Sequence, residues 1–225
     1  MHAQFRDHWY RINVALTGQT VPTRGGRPRD PAIDDLVLDV ARELLVEVGW
    51  EATTMRGVAA RSGVSRAAVL RRWPSKAHLV LDAVIGSTPD LAPFDGVDAQ
   101  GWIRWVAAAS VDIFARPEVQ AAAPGLLAAL RDQPELRDVL WRTFTAEAVT
   151  IYRDQHTTSH DDADLDAKAI IVLAAGAALF ASALAGEDNS PELHERIEKI
   201  LLLAAAESSS AAPSSPSAVG RGPRR

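Results

Sequence analysis

From residue 98 onward, the chain repeats apolar residues at the three- and four-residue spacing of amphipathic helices. Prolines, glycines and polar clusters interrupt the pattern, and few stretches alternate as β-strands do. The sequence therefore predicts an all-α fold. The helices expected in this part of the chain cover residues 98–115, 118–131, 134–156, 163–185 and 191–206.

Another amphipathic helix is predicted to begin at Asp30-Pro31 and to stop at Gly49. Asp30 can accept hydrogen bonds from the free N–H groups of the first turn, and Pro31 suits the first helical position. Gly49 takes a left-handed cap conformation at low cost. This helix carries one wide apolar stripe, so it needs partners that cover the stripe.

The composition excludes several classes of site. The 225 residues include no cysteine, which excludes disulfides, thiolate metal sites and cysteine nucleophiles. No apolar run reaches the ~18 residues of a membrane span and the N-terminus is unlike a signal peptide, so a cytoplasmic protein is expected. Charge is uneven, because residues 1–80 carry a net +4 and residues 81–225 a net −9. Six basic residues and no acidic one fall within 52–80, as binding of a polyanion requires.

The basic segment also has the pattern of a helix-turn-helix. Two short helices that cross steeply need a small residue at the crossing, which Ala59 supplies, and a turn residue tolerant of positive φ, which Gly63 supplies. Thr54 and Ser65 are expected to cap the two helices. The inward positions are predicted to be Val58, Val64 and Val69.

The second helix of this motif is predicted to enter the DNA major groove. Its N-terminal residues would meet base edges, with Arg66 placed to donate two hydrogen bonds to a guanine and Ala68 to touch a thymine methyl. Arg71 and Arg72 lie near the helix end and are expected to meet phosphates. The alternative, a helical hairpin in a packed core, would not keep six cations on its surface.

Residues 30–85 resemble the N-terminal domain of the TetR family of bacterial transcriptional regulators. The resemblance is carried by Val48-Gly49-Trp50-Glu51-Ala52-Thr53-Thr54, Arg56-Gly57-Val58-Ala59, Gly63-Val64-Ser65 and Trp73-Pro74-Ser75-Lys76. It covers about a quarter of the chain. It implies a helical C-terminal domain that binds a small molecule and forms a dimer, hence a regulator that binds a pseudo-palindromic operator, with repression as the default of the family.

The resemblance also implies roles for individual residues. Thr54 and Arg56 would touch the DNA backbone and the groove edge, and Lys76 a phosphate at the start of the fourth helix. Leu70 departs from the pattern, because the family usually has a tyrosine there that hydrogen-bonds phosphate. The DNA-binding residues expected in full are Thr54, Arg56, Ser65, Arg66, Ala67, Ala68, Leu70, Arg71, Arg72 and Lys76.

The chain is predicted to divide into four parts. Residues 30–86 form the helix-turn-helix domain and residues 87–206 the helical ligand-binding and dimerisation domain. The flanks, residues 1–29 and 207–225, are expected to be disordered by composition. Arginines that precede the first helix are expected to contact phosphate without specific readout; they are Arg24, Arg27 and Arg29.

The helix within 167–185 is apolar almost all round, so it is expected to be buried, either in a dimer bundle with the helix around 134–156 or in the core of a monomer. An apolar effector pocket is expected from aromatic residues of the C-terminal domain. An alternative is that this domain binds a protein partner and no small molecule. The candidate pocket residues are Trp102, Trp105, Phe114, Trp141 and Phe144.

Neither a metal site nor an active site is predicted. The His/Asp-rich stretch at 156–166 is sequential and implies no defined ligand geometry, so it is interpreted as a solvated loop. The sequence has no glycine-rich phosphate loop and no nucleophile elbow. No cofactor and no enzymatic activity are therefore expected.

Overall fold

The computed structural model describes residues 31–85, 98–154 and 160–210, and nearly all of these residues are helical. The all-α prediction is confirmed over these ranges. The helices are α1 (Pro31–Ala52), α2 (Met55–Ser62), α3 (Arg66–Arg72), α4 (Lys76–Ile85), α5 (Ala99–Ala115), α6 (Pro117–Asp132), α7 (Pro134–Asp154), α8 (His160–Leu184) and α9 (Pro191–Ser210).

The predicted helix boundaries hold to within a few residues. Helix α6 begins at Pro117, one residue before the predicted start at 118, because proline fits the first helical position and needs no N–H partner there. Helix α9 continues to Ser210, past the predicted end at 206. The predicted arm with Arg24, Arg27 and Arg29, the 86/87 domain boundary and residues 211–225 lie outside the described residues.

Gly49 interrupts the regular helix of α1 at the predicted position, but its backbone is not in the predicted left-handed cap conformation. Its backbone has φ 75° and ψ 179°, a region that glycine enters without steric penalty. The chain then makes one further turn, in which the Thr53 hydroxyl donates to the Gly49 carbonyl at 2.8 Å. This kink turns the chain from α1 into α2 and sets the position of Trp50.

Three apolar clusters hold the helices together. The head cluster joins α1–α4 through Val37, Ala41, Val58, Val69 and Leu79. The C-terminal cluster joins α5, α7, α8 and α9 around Trp102. Between them lies a shared cluster that takes Leu45 from α1 and one face of α4, and packs them on α6 and α7; its α4 members are Ala77, Val80, Leu81, Val84 and Ile85.

Helix α8 has an unusual surface. Residues Asp161–Leu184 are long and apolar enough to cross a membrane by length and composition alone, contrary to the run-length prediction. The difference arises because charged residues such as Lys168 interrupt the continuous apolar run but leave the mean hydropathy of the helix high. Core helices of soluble proteins have the same composition. On α8, however, Val172, Leu173, Phe180 and Leu184 are more than half exposed.

Trp50 presses its indole ring onto α6 at Gly125. A Cβ atom at Gly125 would lie 2.2 Å from the Trp50 ring, far inside van der Waals contact. Only glycine fits there, even though glycine weakens a helix interior by roughly 1 kcal/mol relative to alanine. The close approach joins the end of α1 to the middle of α6.

We expect Gly125→Ala to lower the free energy of unfolding by roughly 1–3 kcal/mol, because the new methyl displaces the Trp50 ring. In a Trp50→Ala background the same substitution should raise that free energy by up to about 1 kcal/mol, since only the helix propensity remains. Urea unfolding of the four proteins measures both effects. The same sign in both backgrounds would contradict the packing account.

Candidate nucleic-acid interface

The predicted helix-turn-helix is formed by α2 and α3. The Thr54 hydroxyl oxygen accepts from the Gly57 N–H at 3.0 Å, and the Ser65 hydroxyl oxygen accepts from the Ala68 N–H at 3.2 Å. Gly63 lies between the helices in the left-handed region, with φ 67° and ψ 11°. Both predicted caps and the predicted turn residue are confirmed. The caps also fix where α3 begins, and so which of its side chains face outward.

Helix α3 turns one face to solvent. Arg66, Ala67, Leu70 and Arg71 are exposed on it, at the i, i+4 spacing of one helix side. We name these four residues the recognition face. On the opposite side Val69 is fully buried, while Ala68 is half-buried and has its N–H in the Ser65 cap.

Arg72 does not belong to the recognition face, which corrects the expectation that it binds phosphate. Its guanidinium forms an ion pair with Asp34 of α1, and the two side chains are only 13% and 3% exposed. A second guanidinium nitrogen donates to the Ala68 carbonyl at 3.2 Å. The inward direction follows from helix geometry, because Arg72 stands three residues after the buried Val69.

Arg61 is also paired within the head. Its guanidinium contacts Glu47 through two N–H groups and Glu43 at 3.1 Å, both on α1. The hydrogen bond between Glu47 and Arg61 lowers the pKa of the Glu47 carboxyl and raises the pKa of the Arg61 guanidinium. Helix α1 thus supplies the carboxylates that neutralise two cations of the basic segment.

Lys76 contacts Trp50, and this restricts its predicted phosphate contact. The ammonium donates to the Trp50 carbonyl at 2.8 Å and lies 4.4 Å from the centre of the Trp50 ring. Such a placement allows a cation–π attraction. Burial lowers the pKa of Lys76, opposed by the charge of Glu51. Lys76 therefore joins the start of α4 to the Trp50–Gly125 contact.

Apart from Lys76, which contacts Trp50, three of the six basic residues between 52 and 80 have no carboxylate partner among the described residues. They are Arg56 on α2 and Arg66 and Arg71 on α3, all exposed. They flank the apolar Ala67 and Leu70, the latter 36% exposed. Unpaired guanidinium groups beside a short apolar helix face can meet phosphates and guanine edges at once.

A cavity of about 140 Å³ lies between the head and the C-terminal helices. Helix α4 forms one wall, and the other walls come from α5, α6, α7 and α8. Every described side chain that lines it is apolar, and these residues are Leu81, Val84, Ile85, Ile113, Phe114, Val119, Ala122, Ala123, Leu126, Leu127, Leu130, Leu140 and Leu179.

Most of the aromatic residues expected in an effector pocket do not line this cavity; Phe114 does. Trp102 is fully buried against Tyr152, with ring centres 4.6 Å apart, and Trp105 packs on the same C-terminal cluster. Trp141 is 42% exposed on α7. The side chain of Phe144 lies outside the described residues. The cavity is lined mainly by leucine, valine and alanine.

The His/Asp-rich stretch is only partly described. Asp161 and Asp162 lie in the first turn of α8, where carboxylates favour a helix N-terminus. Within the described side chains, no group of three or more His, Asp or Glu residues is placed to hold a metal ion. His156 and the side chain of His160 are outside that part of the chain.

The capped α2–turn–α3 unit, its exposed arginines and the all-α fold define a helix-turn-helix DNA-binding protein. The sequence model described as bacterial regulatory proteins of the tetR family matches residues 37–83. The HTH-type transcriptional regulator YdeS of Bacillus subtilis is 34% identical over 71 residues, which are 32% of this chain and 36% of YdeS. An HTH-type transcriptional regulator of Mycobacterium tuberculosis is 46% identical over 63 residues, 26% of this chain and 31% of the relative.

Solved structures match over much more of the fold. NalD of Pseudomonas aeruginosa, the secondary repressor of the MexAB-OprM multidrug efflux pump, superimposes with a TM-score of 0.55 at 16% identity, covering 77% of this chain and 97% of NalD. The flavonoid-responsive regulator FrrA gives 0.52 at 18% identity, covering 80% and 97%. Residues 37–83 therefore match the DNA-binding domain of the TetR family, and the fold over most of the chain is that of TetR-family regulators of solved structure. The matched segment spans about a third of the length of the sequence relatives.

We expect Arg72→Ala and Arg71→Ala to separate stability from binding. Removing Arg72 leaves the Asp34 carboxylate buried and unpaired, which should lower the free energy of unfolding by about 3–5 kcal/mol. Arg71→Ala, one residue away on the exposed side, should change it by less than about 0.5 kcal/mol. Chemical denaturation measures the free energy of unfolding of both variants. A loss for Arg72→Ala as small as that for Arg71→Ala would show that the Arg72–Asp34 pair does not stabilise the fold.

Proposed function

We propose that the chain is a dimeric, effector-responsive regulator, acting as a repressor, that binds a pseudo-palindromic operator. The observation that carries the proposal is the recognition face, an exposed helix side whose arginines have no partner among the described carboxylates. A positive face of this kind attracts DNA phosphates, and a short exposed helix fits the major groove.

Base readout is assigned to the recognition face. Arg66, at the first position of α3, donates to a guanine edge, while Ala67 and Leu70 offer apolar contact to thymine methyls. Arg71 and Arg56 contact phosphates on either side. Thr54 and Ser65 hold the helices through their caps, and each hydroxyl group also keeps a hydrogen to donate to the DNA backbone. Ala68 and Lys76 are half-buried, and they contact the DNA from the edge of the recognition face.

The dimer is proposed to form through α8 and α9. The exposed large apolar side chains of this part of the chain cluster on these two helices, including Phe180, Leu184, Ile200 and Leu203. A soluble monomer rarely leaves such a surface uncovered. Gly176 is exposed on α8 with no atom within 4 Å of an added Cβ, which allows close helix approach. In the dimer interface, α9 thus takes the place expected for the helix around 134–156. That helix, α7, buries Leu136, Val149 and Tyr152 within its own chain.

The effector is proposed to occupy the 140 Å³ cavity. Leu81, Val84 and Ile85 belong to α4, whose first residue Lys76 contacts Trp50. Ala122 and Leu126 flank Gly125, where the Trp50 ring rests. A molecule in the cavity therefore touches both helices that hold the head, and this arrangement couples effector to DNA affinity, typically by 1–3 kcal/mol.

A second hollow fits this role less well. It measures about 300 Å³ and lies between α5, α8 and α9, with Asp112, Glu195 and Glu198 on its rim. Glu195 and Glu198 pair with Lys199 at 2.8 Å and Arg104 at 3.7 Å. None of its lining residues belongs to α1–α4, so a ligand there would not touch the head.

Two of the matched proteins support the effector and the repressor parts of the proposal by their names, since one is flavonoid-responsive and the other is a repressor. A cytoplasmic location accords with a DNA-binding role and with the proposed burial of the apolar α8 face in a dimer. The alternative, a C-terminal domain that binds a protein partner, would use the same α8–α9 face but leaves the cavity without a role.

We expect Arg71→Ala to weaken DNA binding uniformly and to reduce the slope of log K against log salt by about 1, because one phosphate contact is lost. Arg66→Ala should relax the preference at one base position of each half-site, at a cost of about 1–3 kcal/mol. Fluorescence anisotropy on a site selected from random duplexes, at several salt concentrations, measures affinity, slope and protomers per site.

Arg61→Ala is the matched control for this experiment. It removes the same charge from the same domain, but the guanidinium is held by Glu43 and Glu47. Its salt slope should stay at the wild-type value. If Arg61→Ala reduced the slope and Arg71→Ala did not, the recognition face would be assigned wrongly, and one protomer per site would contradict the dimer.

A further inference from the structure

The walls of the cavity restrict what can bind inside it, and this inference rests on the proposed effector role. Its thirteen lining side chains come from leucine, isoleucine, valine, alanine and phenylalanine alone. The carbonyl of Phe114, the aromatic lining residue, already accepts from the Ser182 hydroxyl at 2.8 Å and from the Gln120 amide at 3.2 Å. The lining therefore offers no side-chain hydrogen-bond partner to a ligand.

A cavity of this kind does not hold water well. A buried water needs two to four polar partners, and an apolar cavity of about 150 Å³ lined by Leu, Ile and Phe stays dry and takes up benzene. The cavity here is about 140 Å³, so it is similar to that example in size and lining, but it opens to the surface beside Leu127. An apolar guest gains dispersion contacts with the walls.

Polar guests are excluded by the same walls. A hydroxyl group that enters without a hydrogen-bond partner loses its hydration with no compensation, and a carboxylate or an ammonium loses far more. Leu127 both lines the cavity and is 53% exposed, so the cavity reaches the surface beside it. Among the described residues, no charged side chain lies in the lining to hold a charged end of the guest.

We propose that the effector of this protein is a small uncharged hydrocarbon-like molecule, of the size of a single aromatic ring or a short alkyl chain. The guest would contact Leu81 and Val84 on α4 and Ala122 and Leu126 on α6. It would be selected by shape and by the absence of polar groups, rather than by any specific hydrogen bond.

The test measures binding to the full chain directly, by isothermal titration calorimetry, with toluene, phenol, benzoate and benzylamine as probes. Toluene should bind, phenol should bind at least ~30-fold more weakly, and the two charged probes should not bind measurably. Equal binding of phenol or benzoate, or no binding of toluene, would overturn the proposal.

Cavity variants locate the binding. Ala122→Leu fills the cavity and should weaken toluene binding at least ~10-fold, and Ala123→Val, a smaller change in the same wall, should weaken it less. Ala128→Leu is the matched control, since Ala128 is exposed on the same helix; it should bind as the wild type does. Circular dichroism melts identify a variant that fails to fold, and unchanged binding in both folded cavity variants would overturn the proposal.

Anisotropy with operator DNA separates this inference from the proposed function. Toluene binding that leaves DNA affinity unchanged would support the ligand class and contradict effector control through this cavity. A DNA response to a polar compound, with no toluene binding, would support effector control and overturn the ligand class.

Discussion

Helix α4 packs into two cores at once, and the rest of the structure depends on this. Leu79 and Ala83 complete the core of the DNA-binding head, while Val80, Leu81 and Val84 face α6 and α7. Arg42 of α1 reinforces the joint by donating to the Ala83 carbonyl at 2.7 Å. Because close-packed interiors transmit strain, we expect a displacement of α6 to reach α4 and, through α4, the head.

Half of the basic residues between 52 and 80 are held by partners within the head. Carboxylates of α1 hold Arg61 and Arg72, and Trp50 holds Lys76. What remains for a polyanion is a small set of arginines around an apolar helix face. The buried Arg72–Asp34 pair orients α3 on α1. The guanidinium groups without a carboxylate partner are left to attract a polyanion. One segment of basic sequence thus performs two different tasks.

The sequence predicted local structure well and side-chain partners less well. Caps at Thr54 and Ser65 and the turn at Gly63 depend on residues three or fewer positions away, so their pattern is sufficient. The Arg72–Asp34 pair joins residues far apart in the chain, and only the inward position of Val69 hinted at it. The cavity is the space left between five helices, and the spacing of aromatic residues in the sequence does not predict it. The Trp50–Gly125 contact is equally non-local.

We propose that occupancy of the cavity moves the two heads of a dimer relative to each other. The chain has no cysteine, so Ala60→Cys on the exposed side of α2 gives a single spin label per protomer. Pulsed dipolar spectroscopy then measures the distance between the two labels, with and without saturating toluene. The account predicts one modal distance that shifts resolvably when toluene binds. The same distribution at confirmed occupancy, or no dipolar coupling at all, would contradict it.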